Sequence, residues 1–137
     1  MSLKNQYLTI GISGAMSVGL GALAAHALKV QMQNGLISVD ELNGFDTAAK
    51  YQMYHTLAML AVVIINEKMN SKLLKRAYQF FLIGIICFSG SLYFLCTRHL
   101  LGIEQLKYLG PITPIGGLFF MAAWLCLAFS FFKKDKV

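Results

Sequence analysis

The sequence predicts an all-α fold: a polytopic membrane protein built as a bundle of four transmembrane helices. Three observations predict it. Only 13% of the residues are charged, and 57% are hydrophobic; a soluble domain usually carries about 25% charged residues. The charges are segregated, so that windows 7–28, 47–66, 77–97 and 113–132 hold a single one, Lys50. Each window has roughly the 20 residues that a helix needs to cross a bilayer. The 137 residues then form one four-helix transmembrane domain with no further domain expected.

The first window follows a short polar lead containing Lys4. Ala25-His26-Ala27 loosely resembles a signal cleavage site, but the apolar run is longer than a signal core and three more spans follow, so cleavage is not expected. Ser13, Ser17, Gly21 and Ala25 recur every four residues; Gly11, Ala15 and Gly19 form a second stripe. Small residues let helix backbones approach closely in lipid, so two stripes predict two neighbours for this helix. In the connection that follows, Asn34-Gly35 signals a turn. Ser38 and Glu41 have capping-box spacing, which predicts a short surface helix. Asn43 or Asp46 then caps the second span.

The second window opens with Tyr51-Gln52-Met53-Tyr54-His55-Thr56. As a helix it places Ala48, Tyr51, Gln52, His55 and Met59 on one face. That face is too polar for lipid and must find protein or water partners. Lys50 pairs with Asp46 at a helix end or snorkels to the interface. Residues 67–76 form a polar, basic connection that makes spans two and three antiparallel. In the third window Ser89 and Tyr93 share a face, with Ser91 between them. Arg98, His99, Glu104, Lys107 and Gly110-Pro111 make the next connection. Thr113-Pro114 reads as an N-cap with proline at the first helical position, and Gly116-Gly117 as a point of close approach. A Phe-rich, Lys-rich tail closes the chain.

Charge orients the bundle. With both termini cytoplasmic, Lys4, Lys68, Lys72, Lys75, Arg76, Lys133, Lys134 and Lys136, eight of the twelve bases, face the cytoplasm. The net charge of +6 is thereby explained by topology and implies no nucleic-acid partner. At about 1.5 Å per residue, Tyr51 and His55 then lie roughly 6 and 12 Å below the outer end of span two. Tyr93 and Ser89 lie at matching depths in span three. His26 and the Thr113–Gly117 segment sit at the same end. The expectation is a shared outer-leaflet pocket or polar cluster of His26, Tyr51, Gln52, His55, Ser89, Ser91, Tyr93, Thr113, Gly116 and Gly117.

The chemistry of these residues names no reaction. His26, His55 and His99 follow no metal-ligand spacing, so no metal site is expected. Cys87, Cys96 and Cys126 lie inside spans and read as small buried hydrophobes without a disulfide framework. Ser89-Gly90-Ser91 lacks the strand–turn–helix setting of a hydrolase elbow. No nucleotide loop or acidic pair is present, so no catalytic residue is assigned and an enzyme is not the favoured reading.

Gly21-Ala22-Leu23-Ala24-Ala25-His26, Tyr51-Gln52-Met53-Tyr54-His55-Thr56-Leu57-Ala58, Phe88-Ser89-Gly90-Ser91-Leu92-Tyr93 and Thr113-Pro114-Ile115-Gly116-Gly117 occur in that order. Together they resemble the YgdD/YwdK-type family of small inner-membrane proteins of unknown function. The resemblance covers nearly the whole chain, with residues 29–44 its least typical part. It implies four helices in a bacterial inner membrane and supplies no activity, substrate or cofactor. Three functions compete. The first is binding of a small amphipathic or lipid-like ligand in the outer-leaflet cavity. The second is a structural or accessory subunit whose polar network supports a homo-oligomer or membrane complex. The third is transport or proton relay through His55. An open, lipid-connected cavity favours the first, a buried and satisfied network the second, and a polar path through the inner half the third.

Overall fold

The computed structural model describes residues 1–132. The tail bases Lys133, Lys134 and Lys136, which contribute to the expected orientation, lie outside the described residues. Helix α1 spans Leu3–Gln33, α2 Val39–Met69 and α3 Lys72–Leu101. A 3-10 turn at Glu104–Leu109 leads into α4, Ile112–Ser130. These four helices are long and apolar enough to cross a membrane. The start of α1 and the end of α4 lie at one end of the bundle, the terminal end; the α1–α2 and α3–α4 connections form the distal end.

Local chemistry sets the helix ends. Ser2 caps α1 by accepting from the Asn5 amide at 3.3 Å. At the far end Gly35 adopts φ +75°. Its amide bonds Met32 O and the Leu36 amide bonds Gln31 O, both at 3.0 Å. That pair of bonds is a Schellman motif, and it satisfies carbonyls that the helix end would leave bare. Helix α3 ends the same way at Gly102, φ +65°, with Ile103 N bonded to Arg98 O at 3.1 Å. Between α2 and α3 only Asn70 and Ser71 intervene. Asn70 takes φ 44°, a left-handed conformation that asparagine tolerates. The Ser71 hydroxyl then accepts from the Leu73 amide at 3.2 Å and caps α3.

Two local expectations are corrected. The capping box forms, with Glu41 N to Ser38 Oγ at 3.1 Å and Ser38 N to Glu41 Oε2 at 2.9 Å. It starts α2 itself, however, and no separate surface helix or second cap at Asn43 or Asp46 follows. Nothing between Ser38 and the apolar run breaks a helix except Gly44, and packing requires that glycine. A Cβ there would lie 2.6 Å from Cys96 Sγ. Likewise Thr113 is not the N-cap of α4. Pro111 holds that position, and Pro114 sits in the first turn, where its missing amide hydrogen has no helical partner to lose.

Helix α1 packs on α2, α2 on α3, and α3 on α4. One apolar core fills the terminal half, with Met59, Val62, Leu74, Phe81, Phe120 and Ala123 at its centre. A smaller one, around Leu28, Ile37, Phe45 and Cys96, fills the distal half. Above the second core, Glu41 Oε1 pairs with Arg98 at 3.1 Å, and His99 lies between Glu41 and Glu104 at 3.4 and 3.2 Å. At the terminal end the Tyr7 hydroxyl donates to Glu67. Helices α1 and α3 each contain one π-helical stretch, Ala24–Leu28 and Ile85–Gly90.

Candidate functional site

The polar face of α2 is wide. At about 100° per residue, Tyr51 and Gln52 mark edges of the stripe roughly 100° apart, and Thr56 extends it further. A stripe that broad meets more than one neighbour, and the structure divides it among three.

The Gln52 edge meets α1 and α3. Gln52 Nε2 donates to Ser13 O at 2.9 Å and approaches Ser13 Oγ at 3.5 Å. The Tyr93 hydroxyl donates to Gln52 Oε1 at 2.7 Å. Ser13 and Thr56 share a hydroxyl hydrogen bond of 2.7 Å. One turn along, the Ser17 hydroxyl donates to Ala49 O at 2.8 Å. Gln52 is 4% exposed and Thr56 2%, so water or lipid reaches neither freely. Burying an amide inside a bilayer requires such partners.

The centre of the stripe meets α3. Ser89 is fully buried and donates to Ala48 O at 2.8 Å. The Tyr51 edge faces α4. His55 is buried with its ring stacked on Phe120, centroids 3.5 Å apart at 4°. Phe81 of α3 lies 5.6 Å from the same ring. Tyr51 stacks on Phe88 at 4.9 Å. His55 Nδ1 lies 2.7 Å from Tyr51 O. A carbonyl oxygen only accepts, so Nδ1 carries the hydrogen and neutral His55 presents a lone pair on Nε2.

The residues expected in one cluster therefore occupy several places. Gln52 and Tyr93 are joined directly. Tyr51 and His55 lie on the other side of α2, against α4. Ser91 bonds Thr113 at 2.7 Å and ties α3 to α4. Gly116 lets the same two helices touch: a Cβ there would lie 2.4 Å from Phe88 N. Gly117 meets nothing within 4 Å, and His26 is exposed on α1. Of the two small stripes on α1, Ser13, Ser17 and Gly21 pack on α2, the last with a Cβ position 4.0 Å from Ala49 Cβ. Gly11, Ala15 and Gly19 are exposed, so the second expected neighbour is not one of the described helices.

Ser13, Thr56 and Gly84 escaped the sequence-based set of site residues. Ser13 was legible only as a packing residue in a small stripe. Thr56 lay inside the second-window motif without a distinguishing signal. Gly84, whose Cβ position is 2.5 Å from the Phe120 ring, is a lone glycine in an apolar helix.

The division leaves a groove of about 1040 Å³ between α1 and α3, floored by α2. Ile12, Met16, Leu20, Ile86, Phe94 and Leu101 are among the residues of its apolar walls. Ser13, Gln52 and Tyr93 on the floor, with Thr9, Ser91 and Thr97 at the sides, bring polar atoms to a largely apolar surface. Met16 is 53% exposed and Ile86 64%, so the groove opens sideways, where a bilayer's acyl chains would be.

Four apolar spanning helices, with buried polar side chains bonded helix to helix, define an integral multi-pass membrane protein. Among the described residues no three His, Cys, Asp or Glu side chains gather as a metal site. The family model "Protein of unknown function (DUF423)" matches residues 20–117, and the chain belongs to that family. It is 39% identical over 136 residues to a UPF0382 membrane protein of Haemophilus influenzae, covering 98% of this chain and 100% of the relative. A UPF0382 membrane protein of Staphylococcus haemolyticus is 40% identical over 118 residues, 86% of this chain and 87% of its own. The UPF0382 membrane protein YwdK of Bacillus subtilis is 32% identical over 117 residues, 85% and 86% of the two chains. No solved structure matches.

Proposed function

We propose that this protein binds an amphipathic, lipid-like molecule in the groove between α1 and α3. The observation that carries the reading is the groove itself: open at the side, apolar along its walls, and polar where Ser13, Gln52 and Tyr93 meet. Ligand sites commonly combine apolar walls with a few placed polar groups. The membrane is the cytoplasmic membrane, and both termini face the cytoplasm. Lys4, Lys68, Lys72, Lys75 and Arg76 at the terminal end support that orientation, because bases concentrate on the cytoplasmic side. The groove's polar floor then lies near the bilayer midplane, because Gln52 and Thr56 flank the middle of α2, Val39–Met69.

The test is extraction of the protein purified in mild detergent, followed by mass spectrometry of the released lipids. A specific ligand is enriched over bulk lipid in a fixed ratio to protein. Met16→Trp fills the groove from an exposed position and removes that enrichment. Released lipid that matches bulk composition in both proteins refutes the reading.

A second reading is supported by the exposed stripe Gly11, Ala15 and Gly19, where a Cβ on either glycine meets nothing within 4 Å. Small residues spaced by four are a common helix–helix contact in lipid. The chain would then act as a subunit that pairs through α1 with a copy of itself or with another membrane protein. Disulfide crosslinking of a Gly19→Cys variant in native membranes tests self-pairing. Absence of a crosslinked dimer removes it.

A further inference from the structure

The chemistry lining the groove narrows its occupant, given that the groove is a ligand site. No Lys, Arg, His, Asp or Glu lines it. Its distal mouth is formed by Leu100, Leu101, Leu109 and Ile112, with no cationic side chain among the lining residues. Of the bases nearest in sequence, Arg98 is engaged by Glu41 at 3.1 Å and Lys107 lies 5.4 Å from the Tyr108 ring centroid. An ion drawn to the floor would find no counter-charge in a medium where unpaired charge is strongly disfavoured.

A count of hydrogens sharpens the point. Tyr93 has one hydroxyl hydrogen and gives it to Gln52 Oε1. Gln52 Nε2 gives one amide hydrogen to Ser13 O and also lies 3.5 Å from Ser13 Oγ, at the long limit of a hydrogen bond. Ser13 and Thr56 have one hydroxyl hydrogen each and use one of the two between them. Unspent at the floor are lone pairs on Tyr93 Oη and Gln52 Oε1 and, with Thr56 donating to Ser13, the Ser13 hydroxyl hydrogen. A neutral hydroxyl matches both: it donates to a lone pair and accepts the spare hydrogen. A carboxylate or phosphate can only accept, and faces mostly lone pairs.

We infer that the groove takes an uncharged amphiphile headed by a hydroxyl group, of the long-chain alcohol type, with its chain along α1 and α3 and its hydroxyl on Ser13, Gln52 and Tyr93. Fatty-acid anions and phospholipids are disfavoured occupants.

The test uses three probes of one chain length: oleyl alcohol, oleate and oleyl phosphocholine, of which only the first has a hydroxyl. Each is titrated into the full-length protein in detergent at pH 8, and occupancy is read by native mass spectrometry. Oleyl alcohol saturates at one site, with an affinity about 10-fold above the other two. Tyr93→Phe and Ser13→Ala, each checked for native helicity by circular dichroism, reduce that preference several-fold. Neither variant raises the affinity for oleate or oleyl phosphocholine to that of the alcohol. Met16→Trp removes saturable binding. Equal affinities for the three probes, all lost in Met16→Trp, overturn the hydroxyl assignment and leave the groove reading standing. Binding that never saturates, or that survives Met16→Trp, overturns the groove reading and the assignment with it. An unchanged preference in both floor variants also overturns the assignment.

Discussion

Two adjacent glycines in α4 provide a controlled test of the packing. At Gly116 an added Cβ lies 2.4 Å from Phe88 N and 2.8 Å from Phe88 Cα. These are backbone atoms of α3, so no side chain can swing aside. Restoring ordinary contact needs a shift of about 1 Å, and helices as closely packed as α3 and α4 then lose contact along their length. Overpacking of this kind typically costs about 1–3 kcal/mol, and a clash with backbone belongs at the upper end. Gly117 meets nothing within 4 Å. Both substitutions gain the same helix propensity, up to about 1 kcal/mol in water, so it cancels in the comparison. Gly116→Ala is therefore less stable than Gly117→Ala by about 2–3 kcal/mol, a factor of 30 or more in the unfolding equilibrium. Reversible unfolding of the two variants in mixed micelles, followed by circular dichroism, measures the gap. Equal midpoints would refute the close α3–α4 packing.

Three further outcomes are expected. Gly44→Ala is destabilised by a Cβ 2.6 Å from Cys96 Sγ, and Cys96→Ala restores at least half of the loss in a double-mutant cycle, because the clashing atom is then absent. Tyr93→Phe lowers stability by about 0.6–1.7 kcal/mol, from the average to the largest value found for hydrogen bonds between membrane helices, whereas Tyr54→Phe, at an exposed residue, changes the unfolding midpoint little. A cysteine placed at Gly35 in a background lacking Cys87, Cys96 and Cys126 reacts with a membrane-impermeant maleimide added outside spheroplasts, and one placed at Asn70 does not; the reverse pattern inverts the proposed orientation.

The parts of the fold written in local chemistry were legible beforehand. Asn34-Gly35 is a turn, and Ser38 with Glu41 makes a capping box. What the box begins was not legible, because an N-terminal signal does not say how far its helix runs. The polar face of α2 was visible as a stripe, and the need for partners followed from lipid. Its division was hidden, since residues at the two edges of a broad stripe look adjacent in a periodicity argument. Only the positions of α1 and α4 send Gln52 one way and His55 the other. His26 and Gly117 lie at the expected end of the bundle, but depth says nothing about azimuth, and both face away from the polar network. Gly116 and Gly117 look alike in sequence, yet a single backbone contact separates them.

Between the Tyr7–Glu67 bond at the terminal end and the Leu28 packing at the distal end, the buried hydrogen bonds from α1 to its neighbour occupy a short middle stretch. Ser13 and Ser17 of α1 meet Ala49, Gln52 and Thr56 of α2 within about two turns, a small part of the 31 residues of α1. In lipid there is no hydrophobic drive to press one helix against another, so those few bonds bear directly on where α1 sits. Three of them, at an average of about 0.6 kcal/mol, total about 2 kcal/mol. Because α1 also forms one wall of the groove, this clasp, together with the packing of Ile10 and Leu28, sets the span of that opening, and solvents or detergents that supply hydrogen-bonding groups to the membrane interior compete with the clasp directly.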